Sequence, residues 1–304
     1  MVLELKSIRK CFGKVAAVDG VSFSVEKGTI YGLLGPNGAG KTTTIRMIMS
    51  ILLPDEGEVR VLGNGIGAAV RDRMGYLPEE RGLYRKMKIL DMLVFFGRSH
   101  GLGTADAKKR AAEWLKKMEL PGVQRKKVEE LSKGMQQKVQ FIAAVLHAPD
   151  LLVLDEPFSG LDPINTQVLK DAVLEMNRNG TTVIFSTHNM EEAEKMCNAI
   201  CLINHGKAVV SGPLGDIKRG YGKRSIIVEG TGELAKVRDL DYVEKIDLYE
   251  NYAEVRLKAG ESPQRLLKDL VGVLDIRKFE VVEPTLRNIF IDLVSGGERE
   301  HQGV

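Results

Sequence analysis

Residues Gly35, Pro36, Asn37, Gly38, Ala39, Gly40, Lys41, Thr42 and Thr43 follow the spacing G-x-x-x-x-G-K-[ST], and the chemistry open to those residue types is to hold the phosphates of a nucleoside triphosphate. Gly38 and Gly40 let the backbone aim N–H groups at anionic oxygens, Lys41 reaches the outer phosphates as a point charge, and the Thr42 hydroxyl can complete the shell of Mg2+. A second constellation, Asp155-Glu156, closes the apolar run 151–154. Asp155 suits support of the metal beside Thr42, which leaves Glu156 free to polarise an attacking water as a general base. Ser132 is a third candidate, a natural N-cap for a helix with Val139, Ile142, Ala143 and Leu146 at helical spacing. The positive end of that helix is either a second phosphate site or simply the capped start of a core helix.

These groups call for an open α/β sheet to position them. Residues 29–34 form a short apolar run suited to a buried parallel strand, and residues 43–49 begin a helix. The phosphate loop therefore lies between a strand and a helix N-terminus, whose dipole adds to its attraction for anions. Residues 151–154 read as another buried strand, opening at its C-terminal end into the crevice where such sheets place ligands. A chain of 304 residues, 43% hydrophobic and 28% charged, has room for two domains and the composition of a soluble enzyme. No apolar segment approaches the roughly 18 to 20 residues that span a bilayer, and no signal-peptide pattern is present. Cys11, Cys197 and Cys201 show neither metal spacing nor a secreted framework, which points to reduced thiols in a cytosolic chain. A net charge of only +3 argues against a nucleic-acid partner held by electrostatics.

Further short motifs fall in a fixed order around these. Leu131 to Met135 precedes Asp155-Glu156, Ser159-Gly160-Leu161-Asp162 follows it, Ser186-Thr187-His188 ends an apolar run, and Phe12 stands ahead of Gly13. With the phosphate loop, they resemble over residues 12–188 the ATP-binding cassette (ABC) ATPases, with their signature, D-loop, switch histidine and adenine-stacking aromatic. The resemblance implies a P-loop nucleoside triphosphatase of ABC type, with a mainly parallel core sheet, an antiparallel β subdomain and a helical subdomain. It implies ATP and Mg2+ as cofactors, Phe12 on the adenine, and Ser132 and Gly134 on the phosphates of a partner's ATP. Glu156, His188 and Glu79 then take the catalytic places, and Thr42, Asp155 and Glu79 face the metal. Partners implied are a transmembrane permease subunit and a second ATPase subunit, as homodimer or related heterodimer. The chain would be cytoplasmic, held at the inner face of the cell membrane through the membrane subunit.

Three positions depart from that pattern: Lys133 replaces the signature's first glycine, Met135 its glutamine, and Glu79 the glutamine of the Q-loop within residues 75–84. A carboxylate is a harder Mg2+ ligand than an amide and repels the γ-phosphate unless the metal intervenes.

The rest of the chain supports a transport role. Residues 2–28 and 56–63 alternate as strands, 63–67 read as a strand-end turn, and 83–120 turn helical with Leu90, Leu93, Val94, Trp114, Leu115 and Met118 as core candidates. In transport cassettes this helical part and the Q-loop form the groove that grips a membrane subunit. A composition shift after Gly220-Tyr221-Gly222 divides a cassette, 1–220, from a small α+β accessory domain, 221–304. There, strands are expected at 225–229, 242–248, 252–257 and 275–282, the second and third joined at Glu250-Asn251. A helix opens at Ser262-Pro263, and a final helix carries Leu286, Ile289, Phe290, Leu293 and Val294 on one face. Its ending resembles the C-terminal domain of cassettes serving ABC-2-type exporters, including sodium-efflux and drug-efflux systems. The function expected is ATP-driven closure of a dimer powering such an exporter. The alternative is a non-transport ABC ATPase, a regulatory motor or one associated with translation or chromosomes. A single cassette without sustained heptads fits that alternative less well.

Overall fold

The computed structural model describes residues 1–63, 68–80, 82–221, 225–232, 234–249, 251–258 and 260–301. Most of the expected turn at 63–67, Gly222 at the expected domain junction, and Glu250 of the expected hairpin joint lie outside the described residues. Alternating apolar residues give the antiparallel pair β1 (Leu3–Phe12) and β2 (Val15–Val25), after which the continuous apolar run β3 (Ile30–Leu34) leads through the phosphate loop into α1 (Lys41–Ile48). β4 (Glu56–Val61) returns to pair with β1, and α2 (Ala68–Arg71) and β5 (Met74–Leu77) follow. A helical stretch, α3 (Ile89–Ser99), α4 (Thr104–Lys117) and α5 (Lys133–Val145), leads to β6 (Leu151–Leu154). α6 (Pro163–Arg178), β7 (Thr182–Thr187), α7 (Met190–Met196), β8 (Ala199–Asn204) and β9 (Lys207–Pro213) complete a compact unit, Met1–Leu214.

Within that unit, β1, β2 and β4 make a three-stranded antiparallel sheet, and six strands in the order β5-β6-β7-β3-β8-β9 make the sheet that carries the site. All neighbours in the latter run parallel except β9 against β8. β3, β6 and β7 are buried at every residue, as strands covered on both faces must be. The buried face of α3 is Ile89, Met92, Leu93 and Gly97, whereas Leu90 and Val94 are half-buried. The apolar stripe is thus turned toward the residues preceding those expected. Leu115 and Met118 are core residues, while Trp114 is half-buried with its ring edge against Phe141, 5.9 Å between centroids.

The second unit, Gly215–Val304, begins earlier than the composition shift suggests and takes in nearly all of α8 (Leu214–Tyr221). Its antiparallel sheet has the order β11-β12-β10-β13, from β10 (Ser225–Gly232), β11 (Val243–Leu248), β12 (Ala253–Leu257) and β13 (Leu274–Val282). Ile226, Val228, Val255, Leu266 and Leu270 form its core, the last two from α9 (Pro263–Val271), which Ser262 caps by accepting from the Gln264 N–H. In α10 (Leu286–His301), Leu286 and Ile289 are buried but Leu293 is exposed. The apolar stripe is narrower than expected, and beside it Asp292 pairs with the buried Arg256 guanidinium at 2.6 Å.

Candidate functional site

Gly40 opens α1 with φ 106°, and a β-carbon there would stand 2.4 Å from the Ala17 carbonyl oxygen, so only glycine lets the loop pass β2 so closely. No side chain caps α1, and the N–H groups of its first turn are left to whatever anion the loop holds. Asn37 to Thr43, with Ala17, Glu79 and Glu156, line a cavity of about 370 Å3. Lys41 Nζ donates to the carbonyls of Gly35 at 2.8 Å and Pro36 at 3.1 Å, and lies 3.2 Å from Glu156 Oε1.

The two carboxylates follow directly on β6, at the end of four fully buried residues. Asp155 Oδ1 accepts from the hydroxyls of Thr42 at 3.2 Å and Ser186 at 2.6 Å. Its Oδ2 is buried with no hydrogen-bond partner among the described residues. Burial pushes the Asp155 carboxyl above its ordinary range, against those two hydrogen bonds, and the charge of Glu156 adds to the rise while Lys41 opposes it. Such an oxygen, beside a threonine hydroxyl, suits a hard divalent cation, and the glycine-lined loop suits phosphate.

Glu156 departs from ordinary backbone geometry, with φ 47°, a left-handed conformation costly for a non-glycine residue. The Ser186 hydroxyl helps hold it there by accepting the Glu156 N–H at 2.9 Å. His188 Nδ1 lies 3.0 Å from Glu156 Oε2, so the buried carboxylate meets an ammonium on one oxygen and an imidazole on the other. With the proton on Nδ1, His188 donates to the carboxylate and leaves Nε2 as an acceptor.

The structure thus brings Lys41, Thr42, Glu79, Asp155, Glu156 and His188 to one place. Gly35 and Pro36 serve through their carbonyls. Ser132 caps α5, accepting from the Met135 N–H at 3.3 Å, and Gly134 beside it faces Leu161 and Asn165. Neither is among the residues lining the phosphate cavity, and nor is Phe12, half exposed at the end of β1. Sequence reasoning did not single out Ser186 on its own, although it links the Asp155 carboxylate to the Glu156 backbone N–H. It also missed Gln137 and Gln140 of α5, which are buried and bonded to loops of the site.

The family model described as ABC transporter matches residues 18–159, and that of the ATP-binding protein DrrA1-3-like C-terminal domain matches residues 212–294. The chain is 42% identical to the uncharacterized ABC transporter ATP-binding protein YhaQ of Bacillus subtilis, over 96% of this chain and 98% of that one. It belongs to the ABC transporter ATP-binding proteins. As a cassette of this family it is an ATPase, and its nucleotide is ATP. A relative from Rhizobium, Nod factor export ATP-binding protein I, is 32% identical over 99% of both chains. A solved structure described as the ATP binding subunit of an ABC transporter superposes with a TM-score of 0.69 at 31% identity, covering 73% of this chain and 94% of that one. Among the described residues, no helix is long and apolar enough to cross a membrane.

Proposed function

We propose that this ATP-binding subunit powers an exporter, through ATP-driven closure of a head-to-tail pair with a second cassette, a copy of this chain or a related one. The observation that carries the chemistry is Glu156, a buried carboxylate held between Lys41 at 3.2 Å and His188 at 3.0 Å. Glu156 takes the proton of the attacking water, His188 keeps the carboxylate oriented, and Lys41 follows the charge of the outer phosphate. Thr42 and Asp155 hold Mg2+, with Glu79 facing the same cavity. When bound, that ion neutralises the charge of the phosphate oxygens. Phe12 stacks on the adenine, and Ser132 and Gly134 close over the phosphates bound by the other cassette.

The name of the Rhizobium relative supports export as the direction, and a 35% identical relative, the linearmycin resistance ATP-binding protein LnrL of Bacillus subtilis, supports an efflux type of cargo. The cassette works at the inner face of the membrane, gripped by a permease. A cavity of about 330 Å3 lined by Met49, Tyr76, Leu83, Phe96 and His147 supports a grip beside the Glu79 loop. To switch the pair from mostly open to mostly closed, ATP must favour the closed form by about 5.5 kcal/mol.

Glu156→Gln tests the reading. The variant should bind ATP, hydrolyse it ~10^2-fold more slowly or worse, and run as a dimer with ATP on size exclusion with light scattering. Hydrolysis at the wild-type rate would remove Glu156 from the base's role, and a monomer at saturating ATP would remove the closing step.

A further inference from the structure

Glutamine on a helix usually faces water, yet Gln137 and Gln140 of α5 are 4% and 5% exposed. Gln137 Nε2 donates to the carbonyl of Pro157, the residue after Glu156, at 3.2 Å. Gln140 Nε2 donates to the carbonyls of Pro78 at 3.3 Å and Glu80 at 3.1 Å, the two residues that flank Glu79. One amide group thus spans the peptide segment of Glu79, a residue that lines the phosphate cavity. Its Oε1 is buried with no hydrogen-bond partner among the described residues. A stranded acceptor costs about 1–3 kcal/mol, so a glutamine is an expensive choice here unless its donor end is needed. The reverse orientation would set its oxygen against two carbonyl oxygens, which fixes the amide as donor.

α5 is a stiff support for this contact. A β-carbon on Gly75 of β5 would lie 2.3 Å from the Ala144 carbonyl oxygen, so helix and strand touch backbone to backbone. Ser132, at the start of α5, lies eight residues before Gln140, or about 12 Å along the helix axis. We propose that Gln140 is the positioning residue of the Glu79 loop, fixing the Glu79 carboxylate in the phosphate cavity relative to the helix that Ser132 opens. A rotation of α5 then moves Glu79 with it. The proposal rests on Glu79 acting at the nucleotide, as read above.

Steady-state ATP hydrolysis by the full chain decides it, with Gln140→Leu, Glu79→Ala and the double variant compared. Gln140→Leu should lower kcat about fivefold to tenfold with KM for ATP within about twofold, the split expected of an interaction that matters in the transition state. Combined with Glu79→Ala it should add nothing, because it acts through that carboxylate. Gln140→Glu keeps the shape but, ionised, turns a carboxylate on the same two carbonyls, and it should reproduce the loss; it stands in if the leucine variant does not fold. Multiplying effects in the double variant, or a rise in KM with kcat unchanged, overturns the proposal and leaves the Glu79 reading intact. A silent Glu79→Ala overturns both. Failure of both Gln140 variants to fold assigns the residue to stability and overturns the positioning role.

Discussion

The Lys41 ammonium stands 3.2 Å from Glu156 Oε1 while donating to the carbonyls of Gly35 and Pro36, so one cation holds together the phosphate loop and the carboxylate that follows β6. Both side chains are less than a tenth exposed, where charge attraction is stronger than in water. Breaking such a pair leaves a buried charge without compensation. Lys41→Ala should therefore lower unfolding stability by about 3 kcal/mol as well as abolish productive ATP binding. Denaturant titration and nucleotide titration of the same variant check both effects. An unchanged denaturation midpoint would show that the pair contributes nothing to the fold.

Asp155 has one oxygen in hydrogen bonds to Thr42 and Ser186 and the other buried without one. Asp155→Asn keeps the shape and weakens the hold on a divalent cation. Hydrolysis should then need at least tenfold more Mg2+ for half-maximal rate, since a carboxylate is much the stronger ligand. Rate against Mg2+ concentration measures it, and an unchanged requirement would take Asp155 out of the metal shell.

Ser186 serves both residues, donating its hydroxyl hydrogen bond to the Asp155 carboxylate and accepting the backbone N–H of Glu156, whose φ is 47°. Ser186→Ala leaves that N–H buried and unpaired, at a cost of about 1–3 kcal/mol. Because the strained Glu156 backbone is then less restrained, kcat should fall more than KM rises. Equal stability and equal kcat in the alanine variant would show that the hydroxyl is dispensable.

His147 stacks on His100 at 3.9 Å between centroids, and its Nε2 lies 3.0 Å from the Met74 carbonyl. Burial, helped by His100 and Arg110 and opposed by Asp72 and the Met74 carbonyl, pushes His147 down from 6.5 to about 4. The unfolded chain therefore binds more protons than the folded one between those values, and stability is lost as pH falls from about 6.5 toward 4. His147→Gln, whose amide can still donate to Met74, should narrow the difference in Tm between pH 7.5 and pH 5. Thermal melts at the two pH values check it; an identical difference in the variant would place the acid sensitivity elsewhere.

The phosphate loop and β6 were legible because each depends on a local pattern: a fixed spacing in one case, a continuous apolar run ending in two carboxylates in the other. The phase of α3 was less so, since Leu90 and Ile89 are equally apolar and only the packing partner selects between them. Gln137 and Gln140 were illegible for a different reason. Their side chains read as solvent-facing, and only the enclosure of α5 on all sides turns them inward to bond loops distant in sequence. Ser186 was visible only as part of a resemblance, because both its contacts are to Asp155 and Glu156, some thirty residues away in sequence and brought beside it only by the pairing of β6 with β7.

β7 lies between β6 and β3, with Leu154 opposite Phe185 on one side and Leu33 opposite Ser186 on the other. Side chains alternate along a strand, so a shift of one residue would carry Ser186 to the opposite face and bring Phe185 or Thr187 to its place. The Asp155 carboxylate and the Glu156 N–H, both just beyond β6, would lose their common hydroxyl together. Descendants of this sequence can therefore exchange side chains along β7 with some freedom, but a gain or loss of a single codon there is an all-or-nothing event.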